Sequence, residues 1–204
     1  MRRLLVAALL AVLAAGCAPT DDGDGLPRVG PADIDVDTPA LREARERAGV
    51  EPCRPGDAEP VEGGLPPVTL PCFGGGPDVD LSRLRGPLVI NYWAQNCTPC
   101  RTEMPILQSF HERYGDRVGV LGIDFQDTRP EWAMELVEET GVTYPLLADP
   151  EAATSAADPI TLIRGLPMFV FVDADGRVAE QMYVPLKSEQ QLVDLVAEHL
   201  GVRL

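Results

Sequence analysis

The stretch Trp93-Ala-Gln-Asn-Cys97-Thr-Pro-Cys100 follows a mainly apolar run, Leu88–Tyr92, and its last three residues begin a segment with helical spacing of apolar residues, Thr98–Tyr114. The run predicts a buried strand and the segment predicts a helix, so the cysteines lie at a strand-to-helix junction. The first N–H groups of a helix are free and carry partial positive charge, which lowers the pKa of a cysteine there. Two cysteines separated by two residues can also close a disulfide, so the stretch predicts a redox-active pair.

Strands and helices alternate after this junction and continue to the C-terminus. Such alternation predicts an α/β fold with a central sheet flanked by helices on both faces. The turn Asp173-Ala-Asp-Gly176 joins the last two strands as a hairpin, which makes the sheet mixed, and Pro145 confines its strand to a sheet edge or a strand start. We predict strands at Val118–Ile123, Tyr144–Ala148, Met168–Val172 and Arg177–Tyr183, and helices at Pro130–Thr140 and Ser188–Leu200.

The surroundings of the cysteine pair resemble those of a known family. Trp93-Ala precedes the pair, Arg101 follows it, Pro105 interrupts the first helix, and Gly165-Leu166-Pro167 precedes a strand. With these features the chain resembles thioredoxin-like proteins, and more closely the exported TlpA and ResA group of thiol–disulfide oxidoreductases, over residues 66–200. The resemblance implies a thioredoxin-like fold and disulfide exchange without a bound organic cofactor.

The resemblance also implies a role for each residue of the site. Cys97 is expected to attack a partner's disulfide, and Cys100 to resolve the mixed disulfide that results. Pro167 is expected to form a cis peptide bond beside the pair, and the backbone of Leu166 to pair with an extended substrate segment. The residues expected to contact the substrate are Trp93, Asn96, Thr98, Pro99, Leu166 and Pro167.

The site departs from the family pattern in three places. Asn96 stands where the family usually has tryptophan or another bulky residue. Thr98-Pro99 lies between the cysteines, and in the family this dipeptide tunes the reduction potential of the pair. Asn91 stands where cytoplasmic thioredoxins carry a buried aspartate that helps to move the proton of the buried thiol. Glu103 shares a helix face with Cys100 and is the expected replacement, although it also suits a helix first turn as a plain stabilising charge.

A metal site is the alternative use of the cysteine pair. Cys53 and Cys72 form no second closely spaced pair, which disfavours a zinc site with four cysteines. His111 lies roughly 16 Å along the helix from Cys100, and His199 lies near the end of the last helix, so both histidines are interpreted as structural. We therefore expect neither a metal nor an organic cofactor, and a copper-handling module that uses the same pair is the competing hypothesis.

Cys53 and Cys72 lie in a loop-like stretch, residues 50–80, that is rich in proline and glycine. An exported chain meets an oxidising environment, so we expect these two cysteines to form a structural disulfide that clips the loop before the first core strand. The alternative is a second redox pair that relays electrons to the first.

The first sixteen residues have the composition of an export signal, and we predict a signal peptide at residues 1–16. Arg2 and Arg3 form a short positive end, and the apolar run Leu4–Ala15 is shorter than the ~20 residues that span a bilayer. The segment Leu-Ala-Ala-Gly-Cys that ends at Cys17 resembles the bacterial lipobox, which implies cleavage before Cys17 and its lipidation. The alternative is an ordinary secretory signal that contains a cysteine.

Three further regions follow the signal. Residues 17–37 are rich in Asp, Gly and Pro, and we predict a lipid-anchored disordered tether there. A helix between Thr38 and Gly49 opens an N-terminal helix and loop extension, residues 38–65, and the thioredoxin-like domain occupies 66–204. A nucleic-acid binder needs a basic face, and nothing in this sequence, with its formal net charge of −15, supplies one.

Together these features predict a membrane-tethered, extracytoplasmic thiol–disulfide oxidoreductase of the protein-disulfide reductase type. Its expected partners are exported protein thiols or disulfides, apo-cytochrome c among them, and a membrane thiol–disulfide electron donor or acceptor. Oxidation of newly exported chains is the alternative direction of the reaction. A non-catalytic binding domain that kept the fold is a further alternative.

Overall fold

The computed structural model describes residues 34–155, 157–160 and 164–204. The predicted signal peptide (1–16), the predicted lipidation site Cys17 and the part of the predicted tether before residue 34 lie outside the described residues. Within the described residues, no helix is both long enough and apolar enough to cross a membrane. The helices are α1 (Pro39–Ala48), α2 (Thr98–Tyr114), α3 (Pro130–Thr140) and α4 (Glu189–Leu200), and the strands are β1 (Thr69–Leu70), β2 (Val79–Asp80), β3 (Leu88–Trp93), β4 (Gly119–Phe125), β5 (Leu146–Asp149), β6 (Met168–Val172) and β7 (Val178–Met182), with a 3-10 helix at Leu81–Arg83.

The centre of the fold is a five-stranded sheet with the strand order β5-β4-β3-β6-β7. The middle strand, β3, is buried along its whole length. β4 pairs in parallel with both β3 and β5, whereas β6 is antiparallel to β3 and to β7. This mixed sheet confirms the predicted fold class, and β5 occupies an edge, as Pro145 indicates.

Alternate residues of β3 supply apolar clusters on the two faces of the sheet. Val89 and Trp93 belong to the first cluster, which holds buried side chains from all four described α-helices. Leu88, Ile90 and Tyr92 belong to the second cluster, which is covered by the segment with β1, β2 and the 3-10 helix. The helices that we predict on both faces are therefore, within the described residues, four α-helices on one face and a 3-10 helix on the other. The path from β3 to β4 to β5 advances in one direction, so right-handed crossovers place α2 and α3 on the same face.

The predicted and observed elements agree where a long periodic pattern exists. The bounds of α2, α3 and β6 are those predicted, whereas β4 extends to Phe125 and β5 begins at Leu146, each two residues later than predicted. The stretch 50–80 is predicted to be loop-like, but it contains β1 and β2, which pair with each other in antiparallel fashion. Strands of two residues are too short to produce an alternating pattern.

The folded part of the chain begins before the end that we predict for the tether. Val36 is buried, and its carbonyl accepts a hydrogen bond from Gly74 N. Thr38 then caps α1, which buries Leu41 in the first cluster. Residues 34–37 therefore belong to the folded extension, because burial of apolar surface offsets the entropy lost in ordering the backbone.

A disulfide joins Cys53 to Cys72, with 5.9 Å between their Cα atoms. Both cysteines are buried in the second cluster, and Cys72 forms an isolated β-bridge with Leu147 of β5. The guanidinium of Arg45 lies close by, with 3.7 Å between Nη1 and Cys72 Sγ. The disulfide thus ties the N-terminal extension to the edge of the main sheet.

We expect the double substitution Cys53→Ser and Cys72→Ser to lower the free energy of unfolding by about 3 kcal/mol. The disulfide closes a loop over a sequence separation of 19 residues, and its removal restores that loop's entropy to the unfolded chain. Urea unfolding of the oxidised variant beside the wild type measures the loss. The reduction potential of the Cys97–Cys100 pair should not change, and a shifted potential with unchanged stability would support electron relay instead.

Candidate functional site

The cysteine pair lies where β3 ends and α2 begins. Cys97 is the N-cap of α2, and its sulfur accepts a hydrogen bond from Cys100 N at 3.3 Å. The two cysteines form a disulfide, with Cα atoms 5.3 Å apart. Both sulfurs therefore lie at the positive end of a helix of 17 residues, where free N–H groups favour a thiolate over a thiol.

The two sulfurs differ in their exposure. Cys97 is half-buried, whereas Cys100 is fully buried in the first cluster. Pro99 lies between them in the first turn of α2, where the missing N–H of a proline costs no helical hydrogen bond. A partner molecule can therefore reach Cys97, while Cys100 reacts only with groups inside the protein.

A cis peptide bond joins Leu166 to Pro167, and Leu166 lines two pockets. The first, which we call the rim pocket, measures about 280 Å³. The second, the cis-proline pocket, measures about 340 Å³. The rim pocket is lined by Ala94, Asn96, Phe125, Gln126, Arg164, Gly165 and Leu166, and the cis-proline pocket by Pro99, Arg164, Gly165, Leu166, Pro167, Tyr183 and Pro185.

The residues predicted to contact a substrate separate into three groups. Trp93 is 0% exposed and packs in the first cluster, so it fixes the end of β3 and offers no surface to a substrate in this conformation. Thr98 is exposed at the first position of α2. The other predicted contacts line the two pockets, namely Asn96, Pro99, Leu166 and Pro167.

Glu103 points from α2 into the interior, where only 1% of its surface is exposed. Its Oε1 accepts a hydrogen bond from Leu186 N at 2.9 Å, and its Oε2 has no partner among the described residues. Burial raises the pKa of Glu103 from its ordinary 4.5 to about 7, and the bond from Leu186 opposes part of that rise. A carboxyl group that can bind or release a proton near neutral pH therefore lies one helical turn beyond Cys100.

Further polar groups are buried on the same face of the sheet. Both side-chain polar atoms of Asn91 lack a partner among the described residues, and so does the hydroxyl of Tyr144. Burial, and after it the charge of Glu103, raises the pKa of Tyr144. Burial also raises the pKa of Asp124 well above its usual range, with a smaller contribution from the charge of Asp127.

Asp127 is absent from the predicted site, yet it holds the loop before the cysteine pair. Its Oδ2 accepts a hydrogen bond from Gln95 N at 2.8 Å, and its Oδ1 accepts one from Arg129 N at 3.0 Å. Because β3 and β4 are parallel, the residues that follow them meet at one edge of the sheet. That rule is the sequence signal by which Gln126 and Asp127 could have been found.

A family model described as the AhpC/TSA family matches residues 61–184. The chain belongs to this family. Among curated relatives of this AhpC/TSA chain, the thiol-disulfide oxidoreductase ResA of Bacillus anthracis is 28% identical over 120 residues, which cover 56% of this chain and 65% of that protein. The thiol:disulfide interchange protein HelX of Rhodobacter capsulatus is 29% identical over 101 residues, which cover 50% of this chain and 54% of that protein. The chain therefore spans less than two thirds of either relative.

Solved structures share the fold of this AhpC/TSA family member. A secreted thiol-disulfide isomerase from Corynebacterium glutamicum is 26% identical, with a TM-score of 0.58 over 68% of this chain and 86% of that chain. A DsbF homologue from Corynebacterium diphtheriae is 25% identical, with a TM-score of 0.58 over 74% of this chain and 99% of that chain. The predicted thioredoxin-like fold and the predicted kinship with thiol–disulfide oxidoreductases are thereby confirmed.

We expect Glu103→Gln to remove a pH-dependent part of the stability of the oxidised protein. Between pH 4.5 and about 7 the native carboxyl holds a proton that the unfolded chain has lost, so stability falls as pH rises through this window. The drop in unfolding free energy from pH 5 to pH 8 should therefore be about 2 to 3 kcal/mol smaller in the variant, as measured by urea unfolding. Glu135→Gln, at an exposed carboxyl of α3, is the control and should leave the drop unchanged. An equal drop in unfolding free energy in Glu103→Gln and in the wild type would contradict the raised pKa of Glu103.

Proposed function

We propose that the protein is an extracytoplasmic thiol–disulfide oxidoreductase that exchanges disulfides with exported proteins through Cys97 and Cys100. The observation that carries the proposal is the disulfide between a half-buried Cys97 and a fully buried Cys100 at the start of α2. Relatives named as a thiol-disulfide oxidoreductase and a thiol:disulfide interchange protein support it, as does a secreted thiol-disulfide isomerase among the structural neighbours.

The reductive reaction starts with both cysteines reduced. The Cys97 thiolate attacks one sulfur of a partner's disulfide, and the other partner sulfur leaves as a thiolate that takes up a proton. Cys100 then loses its proton and attacks Cys97 Sγ, which releases the first partner sulfur as a second thiolate. The products are a partner with two thiols and the Cys97–Cys100 disulfide that the structure contains. The same steps in reverse oxidise a partner.

Glu103 is proposed to accept the proton that Cys100 loses. With a pKa of about 7, a substantial fraction of this carboxyl is ionised at neutral pH and able to take a proton. Its burial disfavours the alternative role of a plain helix charge, because a charge that serves only the helix dipole gains nothing from losing its water. Asn91, in the position of the usual buried acid, does not titrate.

The groove around the cis-proline suits an extended segment of a partner protein. Leu166 lines both the rim pocket and the cis-proline pocket, so an extended segment paired with its backbone would place side chains at these pockets. The proposed partners are exported proteins with thiols or disulfides, apo-cytochrome c among them. A membrane thiol–disulfide protein is the proposed donor or acceptor that resets the pair after each turnover.

We expect a Cys100→Ser variant to trap its partner, because the mixed disulfide formed through Cys97 then lacks its resolving thiol. Non-reducing electrophoresis and mass spectrometry of the exported fraction detect the covalent complex and identify the partner. Cys97→Ser is the matched control and should trap no partner and reduce no insulin disulfides. Disulfide reduction by Cys97→Ser at the wild-type rate would overturn the proposal.

The measured reduction potential then assigns the direction of exchange. A value near the ~−270 mV of thioredoxin corresponds to a reductant, and a value near the ~−120 mV of DsbA to an oxidant.

We further propose that lipid on Cys17 anchors the protein to the membrane. The support is the positive end, the short apolar run and the Leu-Ala-Ala-Gly-Cys segment that ends at Cys17. We expect wild-type protein in the membrane fraction with an acylated N-terminus at Cys17, since two or more acyl chains hold a protein firmly. Cys17→Ser should leave that fraction, whereas Thr20→Ser should stay in it. Intact-mass analysis that finds an unmodified wild-type protein outside the membrane would refute the anchor.

A further inference from the structure

The rim pocket is a concave surface beside the cysteine pair to which the sulfur chemistry gives no role. It opens between the loop that precedes the pair and the residues that precede the cis-proline. Phe125 and Leu166 supply apolar walls, and Asn96, Gln126 and Arg164 supply polar groups. An apolar depression with a few convergent polar groups is the usual form of a binding site.

Among the described residues that line the rim pocket, Arg164 carries the charge, and it also lines the cis-proline pocket. It is exposed, and the other polar lining residues, Asn96 and Gln126, are neutral amides. Across residues 34–155, 157–160 and 164–204, no carboxylate lies within ion-pair distance of the Arg164 guanidinium. In a chain with a formal charge of −15, such a guanidinium is placed to meet an anionic group from outside.

Gln126 has a backbone conformation that favours glycine, with φ at +54°. Its N–H donates to Asp149 O at 3.0 Å, and the next residue, Asp127, binds Gln95 N, so the loop is held at this edge of the sheet. Glycine would adopt the same backbone without steric cost, yet the chain keeps a long amide side chain that lines the pocket. A strained residue in a pocket wall points to function.

We propose that the rim pocket is a subsite for an acidic side chain of the partner protein, next to the partner's reactive cysteine. The inference rests on the proposed disulfide exchange and adds the class of substrate that the site prefers. The guanidinium of Arg164 offers paired N–H donors to a carboxylate, and the amides of Asn96 and Gln126 offer further donors. A lysine in the same place would meet the positive charge of Arg164 without a compensating acceptor of opposite sign.

The position of Asn96 sets the register of this subsite. Asn96 directly precedes Cys97, and a strand rises about 3.3 Å per residue, so the acidic residue is expected within two positions of the partner's cysteine. The preference opposes the field of the whole protein, because a net charge of −15 attracts basic peptides in general. Selection of an acidic peptide would therefore report the local pocket and not the overall charge.

The test uses disulfide-bonded peptides that differ only by Glu, Gln or Lys two residues from the reactive cysteine. Reduced wild-type protein is mixed with each peptide at 0.15 M salt, and the second-order rate of Cys97 attack is measured by quenching and mass spectrometry. We expect the Glu peptide to react about tenfold faster than the Lys peptide, with the Gln peptide between them. The ratio should shrink in 1 M salt, where the Debye length falls to about 3 Å.

Variants locate the effect. Arg164→Gln should abolish the preference for Glu or reverse it toward Lys, and Gln126→Gly should weaken the preference without loss of folding stability, since it relieves the left-handed backbone. Arg54→Gln removes an exposed arginine outside both active-site pockets and should leave the ratio unchanged.

Failure of the subsite and failure of the proposed function give different results. The neutral disulfide of 2-mercaptoethanol reports the exchange reaction itself, and no reaction between it and the reduced wild type would overturn the proposed function. If that reaction proceeds while the three peptides react at equal rates, the acidic subsite is refuted. An equal Glu-to-Lys ratio in wild type and Arg164→Gln would refute it as well.

Discussion

The burial of β3 on both of its faces is the constraint on which the redox site depends. All six residues of the strand are buried, and Trp93 at its end is fixed within the first cluster. The chain leaves the sheet after this residue, so the packing of β3 restrains the loop that leads to Cys97, the N-cap of α2. Asp127 adds a local restraint, because its carboxylate holds Gln95 N between the two elements. The sulfurs are thus brought together by the scaffold, and little freedom is lost when they react.

Features with a long local pattern were predictable from the sequence, and features made by tertiary contact were not. α2 and α3 have helical apolar spacing and a proline in the first turn, whereas β1 and β2 have two residues each and no period. Cys100 and Glu103 belong to α2 and Cys97 caps it, so the sequence alone could place these three residues together. Gln126 and Asp127 join the site only because β4 pairs in parallel with β3. Trp93 was predicted as a substrate contact, but the alternation of β3 turns it into the core.

Buried polar groups cost stability, and the proton transfer that we propose from Cys100 would account for the retention of Glu103. A low-dielectric setting holds a carboxyl neutral more readily, which raises the pKa of Glu103 to about 7. An aspartate in place of Asn91 would add a further acid to the face that already buries Glu103 and Asp124, and each charge would oppose ionisation of the others. The amide of Asn91 and the phenol of Tyr144 supply polarity there without a competing charge at neutral pH. Asparagine in place of aspartate at position 91 therefore fits the presence of the buried acid Glu103.

The residues that carry out the reaction and the residues that we propose for partner recognition differ in their burial. The sulfur chemistry depends on core residues that cannot change without cost, whereas Asn96 and Arg164 are exposed and come from separate segments. A tryptophan at position 96, which the family pattern favours, is much larger than asparagine, so the small amide of Asn96 leaves more room at the rim pocket that it lines. The departure from the family pattern at Asn96 is therefore consistent with the proposed subsite for an acidic side chain. Because the overall charge of the chain repels acidic partners, a guanidinium at the rim selects among them only at close range, where Cys97 can react.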